Sequence, residues 1–314
     1  MKKTSLIKIF IILFTVIGFI FTSCKKDKTN EEDTDTTSLQ QLSKDETDIQ
    51  SASDEGMNDA NDVMAHGSTK SLNWLPCHAT VDSASIIGDT ITYTITYNGL
   101  NCIGNRSRTG TIKVKRNINT PWYQAGCKVY VQFINFKITK VSTTGKSITI
   151  NGTKLFENVS GGLVLNLGNG STSTVIHKVS GVILATFDDT STRTWHISRQ
   201  RTFTGIFPNQ VVMTTDGFGS ESTYNNLEAW GTNRHGELFY SQINQSVVHK
   251  QTCNWDPVSG KIIHQIPGNS KSVTITFGYD DNNQPVSSTG TTCPTRCKLD
   301  WVKNSHAGTL YIQI

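Results

Sequence analysis

Thr90-Ile91-Thr92-Tyr93-Thr94-Ile95-Thr96-Tyr97 alternates hydroxyl and apolar side chains without a break. Successive side chains of a strand point to opposite faces, so this octapeptide encodes a strand with one dry and one wet face. The same period recurs in Thr111-Ile112-Lys113-Val114-Lys115, Lys128-Val129-Tyr130-Val131-Gln132-Phe133, Phe136-Lys137-Ile138-Thr139 and Ser272-Val273-Thr274-Ile275-Thr276-Phe277. Glycines such as Gly88, Gly99, Gly110, Gly126, Gly145 and Gly152 lie between or beside these runs, as turns require. Residues 67–314 show no helical period. They are expected to form an all-β body, an antiparallel β-sandwich or rolled meander. A faint echo pairs Thr92–Tyr97, Cys102 and Arg108–Val114 with Val273–Phe277, Cys297 and His306–Ile312. It suggests two related β-units with a boundary near 185–200.

Upstream the texture changes. Residues 25–66 carry four lysines against twelve acids, a net −8, whereas 67–314 carry 22 Lys and Arg against 13 acids, a net +9. The chain's formal charge of +4 therefore hides an acidic arm and a basic body. Residues 24–37 have nothing to bury and read as a disordered acidic spacer. Leu39, Leu42, Ile49, Ala52, Ala60, Val63 and Met64 then recur at roughly helical spacing, which marks 38–66 as an amphipathic helix or linker. Gly56 and the many Asp and Ser residues weaken that helix.

Residues 1–23 have the order of a secretory signal: Lys2, Lys3 and Lys8, then an apolar run from Ile9 to Phe21, then the small residues Thr22-Ser23. The run is shorter than the ~20 residues a bilayer span needs. Cys24 follows at the boundary, ahead of Lys25-Lys26-Asp27. This constellation resembles a bacterial lipoprotein signal, with Phe21 where leucine is usual. The resemblance implies that the Cys24 thiol is acylated and becomes the N-terminus. With the charged tract Lys25–Asp33, the layout resembles Bacteroidota outer-membrane lipoproteins with an acylated cysteine, an acidic spacer and a Thr/Gly-rich β body. It implies attachment to the outer membrane through acyl chains, at the cell surface or the periplasmic face, and transfers no catalytic residue.

With Cys24 set aside, six cysteines remain, an even number that in an exported chain favours disulfides. Cys77 and Cys102 flank a hairpin and are expected to pair. Cys253 with Cys297 would repeat that arrangement, leaving Cys127 with Cys293. Zinc is not expected, because no second Cys/His pair stands at finger spacing from Cys293 and Cys297. Asp188-Asp189 and Asp280-Asp281-Asn282-Asn283 lack the spacing of a calcium loop. No metal or cofactor is expected.

Chemistry is sparse. The chain has no Gly-x-Ser-x-Gly elbow, and its histidines are scattered along strands, where a lone His usually faces water. The body's glutamates are Glu157, Glu221, Glu228 and Glu237. Glu221 and Glu228 are the candidates for paired carboxylate chemistry on a sugar, with solvation the commoner fate. The cations are dispersed, densest at Arg106-Ser107-Arg108 and Arg193–Arg201, without a nucleic-acid motif. Trp122, Tyr123 and Trp230 sit beside Pro or Gly and are the candidates for exposed ligand contact, polysaccharide being the partner they suit. Asp82-Ser83-Ala84 and Asp89-Thr90-Ile91 resemble the Bacteroidota O-glycosylation sequon, which makes Ser83 and Thr90 candidate acceptors. The leading expectation is a lipid-anchored, non-enzymatic binding or structural β module of the outer membrane. A surface glycan-active enzyme and a periplasm-facing lipid or lipoprotein carrier are the alternatives.

Overall fold

A computed structural model describes residues 33–66, 76–142, 146–170, 172–269, 271–303 and 306–314. The signal segment and Cys24 lie outside the described residues. One helix, α1 (Asp33–His66), precedes fifteen strands. The first seven are β1 (Ala79–Ile87), β2 (Thr90–Leu100), β3 (Arg106–Asn117), β4 (Cys127–Lys140), β5 (Ser147–Asn158), β6 (Thr174–Phe187) and β7 (Thr192–Ile206). Then come β8 (Gln210–Gly217), β9 (Gly219–Glu221), β10 (Tyr224–Thr232) and β11 (Leu238–Lys250). The last are β12 (Pro257–Ile266), β13 (Lys271–Tyr279), β14 (Arg296–Lys303) and β15 (His306–Gln313).

The body is all-β, and of the two expected arrangements it takes the meander: every strand belongs to one antiparallel sheet. Neighbours follow chain order from β1 to β7 and again from β10 to β15. Between these runs β7 and β11 divide their length. Trp195–Ile197 of β7 pair with β10, and Arg199–Ile206 pair with β8. On β11, Leu238–Gln242 pair with β10 and Val247–Lys250 with β8. Strands β8 and β10 thus fill one slot end to end. Pairing is continuous across 185–200, where β6 and β7 form a hairpin registered from Thr174↔Thr204 to Thr186↔Thr192. No break in the sheet marks the expected boundary between two units. The echoed cysteines also differ in role, since Cys102 is disulfide-bonded and Cys297 is a buried thiol.

Burial follows the period of two until a bulge resets it. On β4, Cys127, Val129, Val131 and Phe133 face inward, and then Phe136 and Ile138 do. The phase changes at Asn135, which has φ 47° and whose N–H donates to the Asn151 side chain at 2.7 Å. Gly110 of β3 lies opposite this bulge with φ 97°, and a Cβ there would stand 2.1 Å from the Asn135 carbonyl oxygen. Such a bulge bends its strand and increases local twist, here in the region where the sheet meets α1.

The helix packs on the inner face. It begins at Asp33, inside the segment expected to be a disordered spacer. Ile49, Ala52, Met57, Ala60 and Val63 are buried at spacings of three to five, the stripe of an amphipathic helix. They share one core with Tyr93, Ile95, Ile112, Val131, Phe133, Ile183, Trp195, Phe239 and Ile266. Strands β2 to β7 and β10 to β12 therefore contribute to this apolar centre around the helix, and Val211 of β8 joins a smaller cluster with Leu167 and Val175. Gly56 reads from sequence as a weakness, and the structure places it at a point of close approach. A Cβ on Gly56 would lie 2.5 Å from Ile112 Cδ1 and 2.8 Å from Phe133 Cε1. Beyond β12 the packing thins, and β15 has no fully buried position. Strands β1 and β15 are the sheet's two edges.

Cys77 bonds Cys102, tying the entry to β1 to the β2–β3 turn. Cys253 bonds Cys293 rather than Cys297, and the expected Cys127–Cys293 pair does not form. The reason lies in strand register. Cys297 is fixed within β14, opposite Phe277 and Ile312, with its side chain buried in the sheet. Cys293 lies in the free loop before that strand and reaches Cys253. Cys127 is buried and donates its S–H to the Thr120 carbonyl at 3.1 Å. The bridges close loops of 25 and 40 residues, each worth about 3–4 kcal/mol in the chain-entropy picture. Burial pushes the Cys297 thiol up to about 12 and also raises Cys127.

Two outcomes follow from this packing. Alkylation of the unreduced protein should label Cys127 and Cys297 only after denaturation, and peptide mapping should find Cys77–Cys102 and Cys253–Cys293 as bridges. Gly56→Leu should lower stability by about 1–3 kcal/mol through overpacking, read as an earlier urea midpoint. An unchanged midpoint would mean that α1 does not sit this close to β3 and β4.

Candidate functional site

Two arrangements of functional groups stand out, one on each face of the sheet. On the inner face, carboxylates of α1 meet cations carried by the strands and by the β10–β11 turn. Arg106 pairs with Glu55 at 2.8 Å and donates to Ser51 Oγ at 2.9 Å. Arg108 pairs with Asp59 at 2.6 Å and donates to the Cys77 carbonyl at 2.8 Å. Lys140 pairs with Asp48 at 2.7 Å, and Arg234 grips Asp45 through two nitrogens at 2.6 and 2.7 Å. Arg193, fully buried, pairs with Glu46, which also accepts from Trp195 Nε1 at 2.7 Å. Arg199 donates to Gln50 at 2.6 Å and pairs with Glu228 at 3.0 Å. Aromatic rings floor the cations: Arg234 lies 3.7 Å from the Phe187 centroid, Arg193 4.2 Å from Phe239, and Lys154 4.7 Å from Trp195. The two densest cation clusters in the sequence thus face the chain's own acidic arm.

This environment shifts proton affinities. Burial alone would raise Glu46, and Arg193 and Arg199 overcome it, so the carboxyl sits below its ordinary value. Glu228 is raised, because burial outweighs Arg199. Burial lowers Lys154 to about 7. It also lowers His264, His177 and His249 each to about 4. These histidines are packed among strands, contrary to the water-facing expectation. His264 Nδ1 lies 2.6 Å from Ser241 Oγ, a buried pair whose imidazole feels the Glu46 carboxylate of α1.

The second arrangement lies on the outer face. Cross-strand partners share a face, and the row His196–Trp230–Tyr240 alternates with the inward row Trp195–Gly231–Phe239. The His196 ring stacks on the Trp230 indole with centroids 5.2 Å apart. Residues 218–224 fold back over this row. Gly219 lies so close to the indole that a Cβ there would be 2.5 Å from it. Ser222, at φ 55°, turns the chain at the tip. Tyr224 is thereby laid flat on Tyr240, with centroids 4.1 Å apart and planes 17° apart. A cleft of about 450 Å³ opens here, bounded by Ser222, Tyr224, Glu237, Leu238, Tyr240 and Pro267. Asn233 Nδ2 donates to Glu237 at 2.7 Å and orients its carboxylate.

The structure distributes the sequence candidates unevenly. Trp230 joins the outer aromatic row. Trp122 is half-buried against the core, 5.0 Å from the His177 ring, and is not the exposed contact expected of it. Tyr123 beside it is 62 % exposed. Trp122 and Tyr123 lie in the loop between β3 and β4, and β4 is four strand positions from β10, which carries Trp230. Thr90 is exposed at the start of β2, and Ser83 lies on β1. Glu221 is exposed, whereas Glu228 is buried against Arg199, so the two do not form a carboxylate pair on a cleft. Among the described residues no group of His, Cys, Asp and Glu is arranged to hold a metal ion. Tyr224, Tyr240 and Glu237 were not legible as a site, since only the fold-back of 218–224 joins them.

The three histidines set a pH dependence. Their folded values near 4 lie below the ordinary 6.5. The unfolded chain therefore binds more protons between these limits, and stability falls as pH drops from 6.5 toward 4. Glu46, depressed in the fold, adds to the loss at the acid end, and Glu228, raised, opposes it. Thermal melts should shift steadily downward from pH 7 to pH 4.5, and His264→Gln should flatten the slope. A flat profile in the parent protein would contradict the buried neutral histidines. Compared with protein-family models, with curated proteins and with solved structures, the chain matches none of them.

Proposed function

We propose that the chain is a lipid-anchored, non-enzymatic binding or structural module of the bacterial outer membrane, held by acyl chains on Cys24. The observation that carries this reading is the seating of α1. The arm that follows Cys24 is not a loose tether along its whole length, because from Asp45 to Asp59 it is bound to the inner face by ion pairs. Asp33, where α1 begins, is nine positions after Cys24, a reach of at most ~30 Å. An anchor on that cysteine would hold the β body close to the bilayer surface. Two or more acyl chains give firm attachment where one is marginal. Among the described residues no helix is long and apolar enough to cross a membrane.

The arrangement of the inner face favours this reading over its alternatives. A carrier needs an apolar hollow, and here the inner face is filled by Ile49, Ala52, Met57, Ala60 and Val63 of α1. A two-carboxylate hydrolase needs both groups at the substrate, and Glu228 is spent on Arg199. The outer face is left for recognition. Cys24→Ser is the decisive variant. In cells of the source type it should abolish incorporation of an alkyne-labelled fatty acid and move the protein from envelope to soluble fractions. Undiminished envelope association of that variant would overturn the anchor.

A further inference from the structure

We propose that the outer-face cleft beside Tyr224 and Tyr240 binds an uncharged sugar ring of a polysaccharide. The proposal deepens the reading of a displayed binding module, on which it rests for access to glycan but not for its chemistry. A pyranose is amphipathic: its C–H face is apolar and its rim carries hydroxyls. The cleft has the matching halves. Tyr224, backed by the buried Tyr240, supplies aromatic wall with Leu238 and Pro267 beside it, and the Ser222 hydroxyl and Glu237 carboxylate supply polar contacts. Rigid aromatic surface favours stacking at low conformational cost. A carboxylate accepts hydrogen bonds from two neighbouring hydroxyls, each stronger than a neutral bond. The volume of about 450 Å³ lies within the usual range for a small-ligand site.

Among the residues that bound the cleft Glu237 is the acidic one and none is a Lys or Arg, so a phosphate or uronate finds no counter-ion there, whereas a neutral ring needs none. Glu221 lies close enough to Tyr240 to add to the upward shift that burial gives that phenol. The site is also organised before any ligand arrives. The fold-back that carries Tyr224 is fixed by the Gly219–Trp230 contact, by pairing of Glu221 with Tyr224 across β9 and β10, and by the flat tyrosine stack. Preformed geometry lowers the ordering cost of binding.

The test uses the full chain carrying Cys24→Ser, so that anchoring and sugar binding are read separately. Calorimetric titration with gluco-, xylo- and manno-oligosaccharides should give saturable binding of at least one. Polygalacturonate should neither bind at the cleft nor compete. Tyr224→Ala should weaken the bound oligosaccharide at least tenfold, and Glu237→Gln several-fold, while Tyr123→Ala leaves binding unchanged. If Tyr224→Ala melts early, Glu237→Gln and Ser222→Ala decide the matter instead. Absence of binding to every neutral probe, binding that survives the cleft variants, or loss in Tyr123→Ala would each overturn the site. Fractionation of Cys24→Ser reports on the anchor whichever way these titrations fall.

Discussion

The fold depends on carboxylates of one helix meeting guanidinium groups of a sheet that wraps it. Taken singly, burying such charges gains little. Desolvation offsets most of the Coulombic attraction, and a well-packed apolar pair is often as stable. Here the charges come together with an apolar stripe on the same helix, and the two effects divide the work. Ile49, Met57 and Val63 supply burial. The pairs Asp45–Arg234, Glu46–Arg193, Glu55–Arg106 and Asp59–Arg108 fix rotation and register along the axis, because removal of one partner strands a buried charge. A helix this rich in Asp, Ser and Thr has little intrinsic stability. Its order is conferred by the sheet, and the inner-face cations in turn find their carboxylate partners on the helix.

This mutual requirement centres the sheet on the helix: strands β2 to β7 and β10 to β12 share the core that contains its apolar stripe. Among the described residues β1 and β15 stand as the two edges of the sheet. Bulges such as that at Asn135 opposite Gly110 supply curvature where the sheet turns toward α1. The division of β7 and β11 between β8 and β10 lets the sheet change width without a gap. The outer face then carries what the inner face does not use, including the aromatic row ending at Tyr240.

Much of the fold was legible from local pattern. The alternation in Thr90–Tyr97 and Lys128–Phe133 encodes strands with a chosen face, and the helical spacing from Ile49 to Val63 encodes a stripe. The opposed charges of arm and body were also visible, and they are the trace of the inner seam. What local pattern cannot carry is which long-range partner each group finds. Glu46 meets Arg193 across 147 positions and Asp45 meets Arg234 across 189. The same holds for Cys253, which pairs with Cys293 because Cys297 is committed to the register of β14. The outer cleft depends on a hairpin folding back over its own sheet, a feature that no periodicity announces. Gly56 shows the converse: a residue whose intrinsic cost to a helix is plain from sequence, and whose purpose is visible only against Ile112 and Phe133.

The span from Asp45 to Arg234 bears on biogenesis. A chain made N-terminus first delivers its acidic helix well before the arginines that will hold it. Until β7 and β10 emerge, that segment must persist as a solvated, self-repelling polyelectrolyte. Its surplus of carboxylates keeps it from aggregating during the wait. Dependence on contacts so distant along the chain favours slow, late consolidation, so the residues made first are among the last to be locked in place.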